Sequence, residues 1–155
     1  EPAALDQIGC EFQPYVLGMM AGQKLRIKNS DAGPHNVHAR PAVSGNREFD
    51  VTERAGASVE KSFAAREIPV RFSCNLHPWM FAYVAVVDHP FFAVTDQDGN
   101  FAITNAPPGD YVLEAYHVKT HGNHTGETQT VSVTAGQTAT VNFTIELPAQ
   151  VSSNR

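Results

Sequence analysis

Leucine is scarce in this sequence, six residues of 155, against 16 Val, 5 Ile and 11 Thr. A chain short of the commonest helix-forming hydrophobe and rich in β-branched side chains, which stiffen in helices and pack well on pleated sheets, is expected to be all-β. Charge is sparse as well: 17% of residues are charged, and the formal net charge is -5 with seven His counted neutral. The 11 Lys and Arg are scattered singly, so there is no basic stripe to neutralise phosphates, and nucleic acid is not an expected partner. No apolar run approaches the roughly 18 residues of a membrane helix, so no transmembrane segment is expected. The two cysteines, Cys10 and Cys74, fit neither a paired zinc knuckle nor a disulfide-dense scaffold, and leave open one bridge or two separate thiols. Glu1 stands where Met would in an unprocessed chain, with no basic or apolar leader after it; export to the periplasm or exterior, with the leader removed, is the expectation.

What is plentiful is turn chemistry, 11 Gly and 10 Pro spread along the chain within a 42% hydrophobic composition. Lys24 to Lys28 alternates with period two and reads as a strand, and Asn29 to Pro34 reads as its loop. Further strand-like runs are Asn36 to Ala39, Ala57 to Phe63, Ile68 to Ser73 and Phe81 to Val87, the last apolar enough to suggest burial on both faces. Strands at this spacing suggest a sandwich. The nearest helical candidates, Thr52 to Ala55 and Ala64 to Glu67, are no longer than a turn or two. After Asp88-His89-Pro90 the texture changes to a Gly99 hairpin turn, Ala106-Pro107-Pro108-Gly109-Asp110, a strand-like run at 111–117 and two Thr/Val-rich runs at 128–133 and 138–145. Four or five antiparallel strands are expected there. Two modules, 1–89 and 90–148, with a frayed tail over 149–155, are the expected organisation.

The chemically loaded segment is Cys74-Asn75-Leu76-His77-Pro78-Trp79-Met80, a thiol, an imidazole and a thioether at C-x-x-H-x-x-M spacing. Soft sulfur with imidazole selects copper. About forty residues upstream, Pro34-His35-Asn36-Val37-His38 places another imidazole at the mouth of a different strand. Two His, one Cys and a weak axial Met make a site that holds copper in both oxidation states, which suits one-electron transfer.

These two motifs resemble those of the cupredoxins, the amicyanin and plastocyanin group in particular. Phe12-Gln13-Pro14, Gly22-Gln23 and Lys28-Asn29 are similar to the opening strands of that family. The resemblance implies a Greek-key sandwich with one copper ion per chain on His35, Cys74, His77 and Met80. It also implies that Asn36 ties the two ligand loops together, that His77 is the electron port, and that a redox protein is the partner. His38 reads as a strand residue. Cys10 departs from the family pattern, and three readings stay open: a free thiol shielding the metal, a disulfide partner of Cys74, or an extra ligand.

Downstream, Thr95-Asp96-x-Asp98-Gly99 and Pro107-Pro108-Gly109-Asp110-Tyr111 resemble the prealbumin-like module called carboxypeptidase regulatory-like, a non-catalytic β-sandwich that here is expected to be incomplete or to borrow edges from the first module. His89, His117, His121 and His124 are candidates for a second metal site, weighed against a solvated loop. The Asn123 and Asn142 sequons are short enough to arise by chance. The expected function is that of an exported type 1 copper protein carrying single electrons. The rivals are a copper-binding or copper-tolerance protein that sequesters or delivers the metal, and a structural β-protein stapled by Cys10 and Cys74. No enzyme is expected, because four protein ligands on one ion leave no open position for substrate.

Overall fold

A computed structural model describes residues 1–120 and 126–147. Among these residues there are eleven strands and no helix, so the fold is all-β. The expected tail at 149–155, and His121, Asn123 and His124, lie outside the described residues. The chain divides into two compact units, Glu1–Ile103 and Thr104–Arg155.

The first unit holds two sheets. One has the order β2-β1-β4-β7, from Phe12–Gln13, Ala3–Gln7, Leu25–Asn29 and Ser58–Lys61; the other has the order β3-β9-β8-β5-β6, from Val16–Met20, Phe81–Val87, Glu67–Ser73, His35–Arg40 and Phe49–Glu53. Leu25, Ile27 and Asn29 alternate with exposed Arg26 and Lys28, which is the period-two signature of a half-buried strand. Leu5, Leu25 and Ile27 from one sheet and Met19, Val37, Val70, Phe72 and Val84 from the other share one buried core. Each such side chain contributes about 1.5–3 kcal/mol on leaving water. Phe49, Phe63 and Phe72 add a ring cluster with centroids 5.9–6.2 Å apart.

Three local expectations are corrected. Thr52 and Glu53 form the end of β6 instead of opening a helical turn, and Glu67 begins β8. Neither segment had the length to offset helix nucleation. In β9 the residues Ala82, Val84 and Val86 are buried while Phe81, Tyr83 and Ala85 are half-buried, so the strand has one core face. Its outer face is apolar because Tyr15 packs edge-on against both Phe81 and Tyr83, at 5.8 and 5.6 Å. Phe92 lies over Gly18 of β3, so close that a Cβ there would sit 2.3 Å from the ring.

In the second unit the described strands are β10, Gly109–Ala115, and β11, Glu127–Val133, paired antiparallel from Gly109↔Val133 to Ala115↔Glu127. The Thr138 to Ile145 run forms no ladder, although Gln129 Nε2 donates to the Asn142 carbonyl at 2.6 Å. Tyr111 anchors the Pro107-Pro108 turn through its hydroxyl, which donates to the Pro107 carbonyl at 2.7 Å.

Candidate metal centre

The connection from β8 to β9 is the Cys74–Met80 loop. Cys74 N–H donates to the Met80 carbonyl at 3.0 Å, and Met80 N–H to the His77 carbonyl at 2.9 Å, so the loop closes on itself at its neck. Its two sulfur residues, Cys74 and Met80, are buried there. Leu76 and Trp79 at its tip are 52% and 62% exposed, and His77 is half-buried between these extremes. β5 pairs with β8, with His38 opposite Ser73, and that register brings His35, the first residue of β5, beside the loop.

The donor atoms converge. His35 Nδ1 lies 3.1 Å from His77 Nδ1, and Cys74 Sγ lies 3.6 Å from the same His77 nitrogen. These are separations that ligands of a single ion take when bonds are about 2.0 Å to nitrogen and about 2.3 Å to sulfur. The chemistry of the set, two imidazoles with a thiol and a buried thioether in reserve, fits copper. Asn36 fastens the loop to β5 in two places, its N–H donating to Cys74 Sγ at 3.3 Å and its Oδ1 accepting from Asn75 N–H at 3.1 Å, while its Nδ2 donates to Asp50 Oδ1 of β6. The tie between the ligand loops implied by the resemblance is present as hydrogen bonds.

The more unexpected feature is Asp31. Its carboxylate accepts from Gly9 N–H at 2.7 Å and Cys10 N–H at 2.8 Å, and it meets His35 Nε2 at 2.7 Å. The Cys10 and Gly9 amides, followed by His35, hold its carboxyl down at about 2. A carboxylate on Nε2 keeps the proton there and leaves Nδ1 free to face the site. Cys10 is turned inward by the same clamp. Gly9 and Cys10 are the two central residues of the β1–β2 hairpin, both at positive φ, +66° and +59°, and the Trp79 indole N–H donates to the Cys10 carbonyl at 3.2 Å. One donor atom each from Cys10, His35 and His77 lies within 4.8 Å of the others. Both cysteines are free thiols.

The structure therefore gathers His35, Cys74, His77 and Cys10, with Met80 buried at the loop neck. His38 points elsewhere, its Nε2 2.5 Å from Glu48 Oε1. His89 stacks on Phe91 in the first unit, and His117, in the second, accepts the Lys119 N–H at 3.1 Å. The remaining members of that second candidate site, His121 and His124, lie outside the described residues. Asp31 and Trp79 are not among the residues the motifs single out. The available signals were the Asn29-Ser30-Asp31 turn four residues before His35 and the Gly-Cys pair between two strand-like runs.

Residues 75–146 match the carboxypeptidase regulatory-like domain family. Among solved structures, a copper-containing nitrite reductase from Thermus scotoductus SA-01 is similar at 20% identity and TM-score 0.51, over 57% of this chain and 23% of the reductase chain. The chain thus spans less than a quarter of that enzyme. A Cu(I) amicyanin variant is similar at 21% identity and TM-score 0.49, over 55% of this chain and 81% of that one. A purple cupredoxin from Nitrosopumilus maritimus gives 22% and 0.46, over 54% and 98%. No curated protein matches the sequence. The first part of the chain has a cupredoxin-like fold, and a carboxypeptidase regulatory-like match overlaps and follows it.

Proposed function

We propose that the chain is a mononuclear copper protein that carries single electrons, with His35, Cys74, His77 and Met80 as ligands. The observation that carries this reading is the convergence of His35 Nδ1, His77 Nδ1 and Cys74 Sγ on one point between β5 and the β8–β9 loop. Bound copper supplies a one-electron couple there, and a soft, preformed donor set lets both oxidation states share one geometry. The protein's part is restraint. Asp31 fixes the His35 ring and its tautomer, the Asn36 N–H holds the Cys74 sulfur, and the buried neck keeps water from the thiolate. His77 supports the role of electron port because its ring is half-buried, against Trp79 at 5.2 Å. Exposed Leu76 and Trp79 form an apolar rim around it, the kind of surface on which a redox partner docks.

No helix among the described residues is long and apolar enough to cross a membrane. In the copper-carrier reading the protein works in the periplasm or outside the cell. The module from Pro90 onward serves, in this reading, to orient the copper unit or to dock a partner, and no catalytic role is assigned to either module. A second reading, delivery or sequestration of copper, draws support from the half-buried second thiol, Cys10.

The test is a visible spectrum of the copper-loaded protein followed by voltammetry. An intense thiolate-to-copper band that is lost in Cys74→Ser, with reversible cycling at an electrode, is expected. A colourless complex, or a band indifferent to Cys74→Ser, would refute the assignment. Release of copper on reduction would move the protein to the delivery class.

A further inference from the structure

Cys10 is the one thiol at the site that the four-ligand reading leaves without a task. Its donor atom nevertheless belongs to the mutually close set with His35 and His77. Three observations argue that its position is built. First, a side-chain-bearing residue sits at φ +59° in the second position of a two-residue hairpin, where glycine or asparagine is the unstrained choice. Second, its N–H is held by Asp31, whose carboxylate also meets His35. Third, its carbonyl is held by Trp79, a residue of the ligand loop itself. Every one of these contacts comes from a residue adjoining a proposed ligand. Cys10 and Cys74 also differ in access: Cys10 is half-buried, whereas Cys74 is 3% exposed behind the two imidazoles.

We propose that Cys10, His35 and His77 form an uptake site for Cu(I), from which the metal passes to Cys74. This rests on the copper reading above and adds a route to it. A soft, accessible thiolate with two neutral imidazoles is a donor set suited to Cu(I). Cys10 gives up its thiol proton on taking Cu(I). Cys74 then displaces it, forming its own sulfur–copper bond and releasing its proton while the Cys10 bond breaks and Cys10 is reprotonated. The oxidation state does not change, and the two imidazoles are common to both positions, so the exchange needs no dissociation into solvent.

The experiment delivers Cu(I) anaerobically to the full chain from its bicinchoninate complex, with chelator competition for affinity and X-ray absorption to count copper–sulfur bonds. Cys74→Ser should still bind one Cu(I), with one thiolate sulfur. The double variant Cys10→Gly/Cys74→Ser should bind at least about tenfold more weakly, since losing a ligand costs no less than losing an outer partner of one. Cys10→Gly alone, which relieves the positive φ and so preserves the turn, should load severalfold more slowly yet reach the wild-type visible band. Equal Cu(I) affinity in Cys74→Ser and the double variant would overturn the uptake site, as would wild-type loading in Cys10→Gly. Complete loss of the band in Cys10→Gly would overturn the transfer, since Cys10 would then be a permanent ligand. A wild-type protein that binds Cu(I) but shows no thiolate band after oxidation would count against the electron carrier alone, because the uptake site is scored by affinity and sulfur count.

Discussion

Glu53→Gln is expected to stabilise the protein at neutral pH, by an amount that grows as pH rises. Glu53, at the end of β6, is 3% exposed, and its partner Gln7 of β1 is 0% exposed. Gln7 Nε2 donates to Glu53 Oε2 at 2.5 Å, while Gln7 Oε1 and Glu53 Oε1 have no partner. A buried pair with two unpaired acceptors is short of one proton. Burial raises the Glu53 pKa from 4.5, against the Gln7 bond that lowers it. A carboxyl whose folded pKa is raised adds stability while it is protonated. That contribution is complete below 4.5 and is lost as pH climbs through the folded value. Glutamine at 53 carries a permanent N–H donor in place of that proton and does not titrate. One regained buried hydrogen bond is worth about 1–2 kcal/mol when an orphan acceptor is thereby satisfied. Urea unfolding at about pH 4 and about pH 8, read by Trp79 fluorescence, should show near-equal stabilities at the lower pH and a more stable variant at the higher. A variant less stable than wild type at the higher pH, or a difference that does not change with pH, would refute the reasoning.

Two further substitutions probe the frame of the site. Asn36→Ala removes the acceptor for Asn75 N–H and should cost about 1–2 kcal/mol in urea unfolding, with a broadened copper band as the loop loosens; an unchanged midpoint would mean that solvent replaces the bond at no cost. Gly18→Ala places a Cβ 2.3 Å from the Phe92 ring and should cost about 1–3 kcal/mol. In a Phe92→Ala background the penalty should largely vanish, and an undiminished penalty there would show that the cost does not come from the ring.

How much of this was legible in the sequence depends on the range of the interaction concerned. The C-x-x-H-x-x-M spacing carried Cys74, His77 and Met80 because a short loop between neighbouring strands confines them together. His35 followed from its place at the head of a strand-like run. β4 was legible because Leu25 and Ile27 alternate with Arg26 and Lys28. β3, Val-Leu-Gly-Met-Met, carries no such alternation, since its outer side is covered at Gly18 by Phe92, a partner far along the chain. The inward turn of Cys10 depends on Asp31, 21 residues away, and on Trp79, 69 residues away. No local pattern records either partner. In the second unit the β-branched runs at 128–133 and 138–145 look alike as sequence, yet of the two only the first pairs along a ladder, because a strand requires a neighbour as well as a propensity.

The hydrogen bond from Cys74 N–H to the Met80 carbonyl, directly beyond the Ser73↔Phe81 pair, closes the β8–β9 ladder at the two sulfur residues of the candidate site. The ladder below that bond therefore fixes the loop at its neck, while residues 75–79 meet the sandwich through side-chain and backbone contacts at its end: Asn75 with Asn36 and Asp50, His77 with His35, and Trp79 with Cys10. The loop can be varied in length or sequence provided that Asn75 keeps its bond to Asn36 and that Cys74, His77 and Met80 are retained. Under the proposed copper reading, such replacements would alter the spacing of the donors, and with it colour and potential, on an unchanged scaffold. For an engineer the site is a cassette, with Asn36 as the latch that any transplanted loop must still engage.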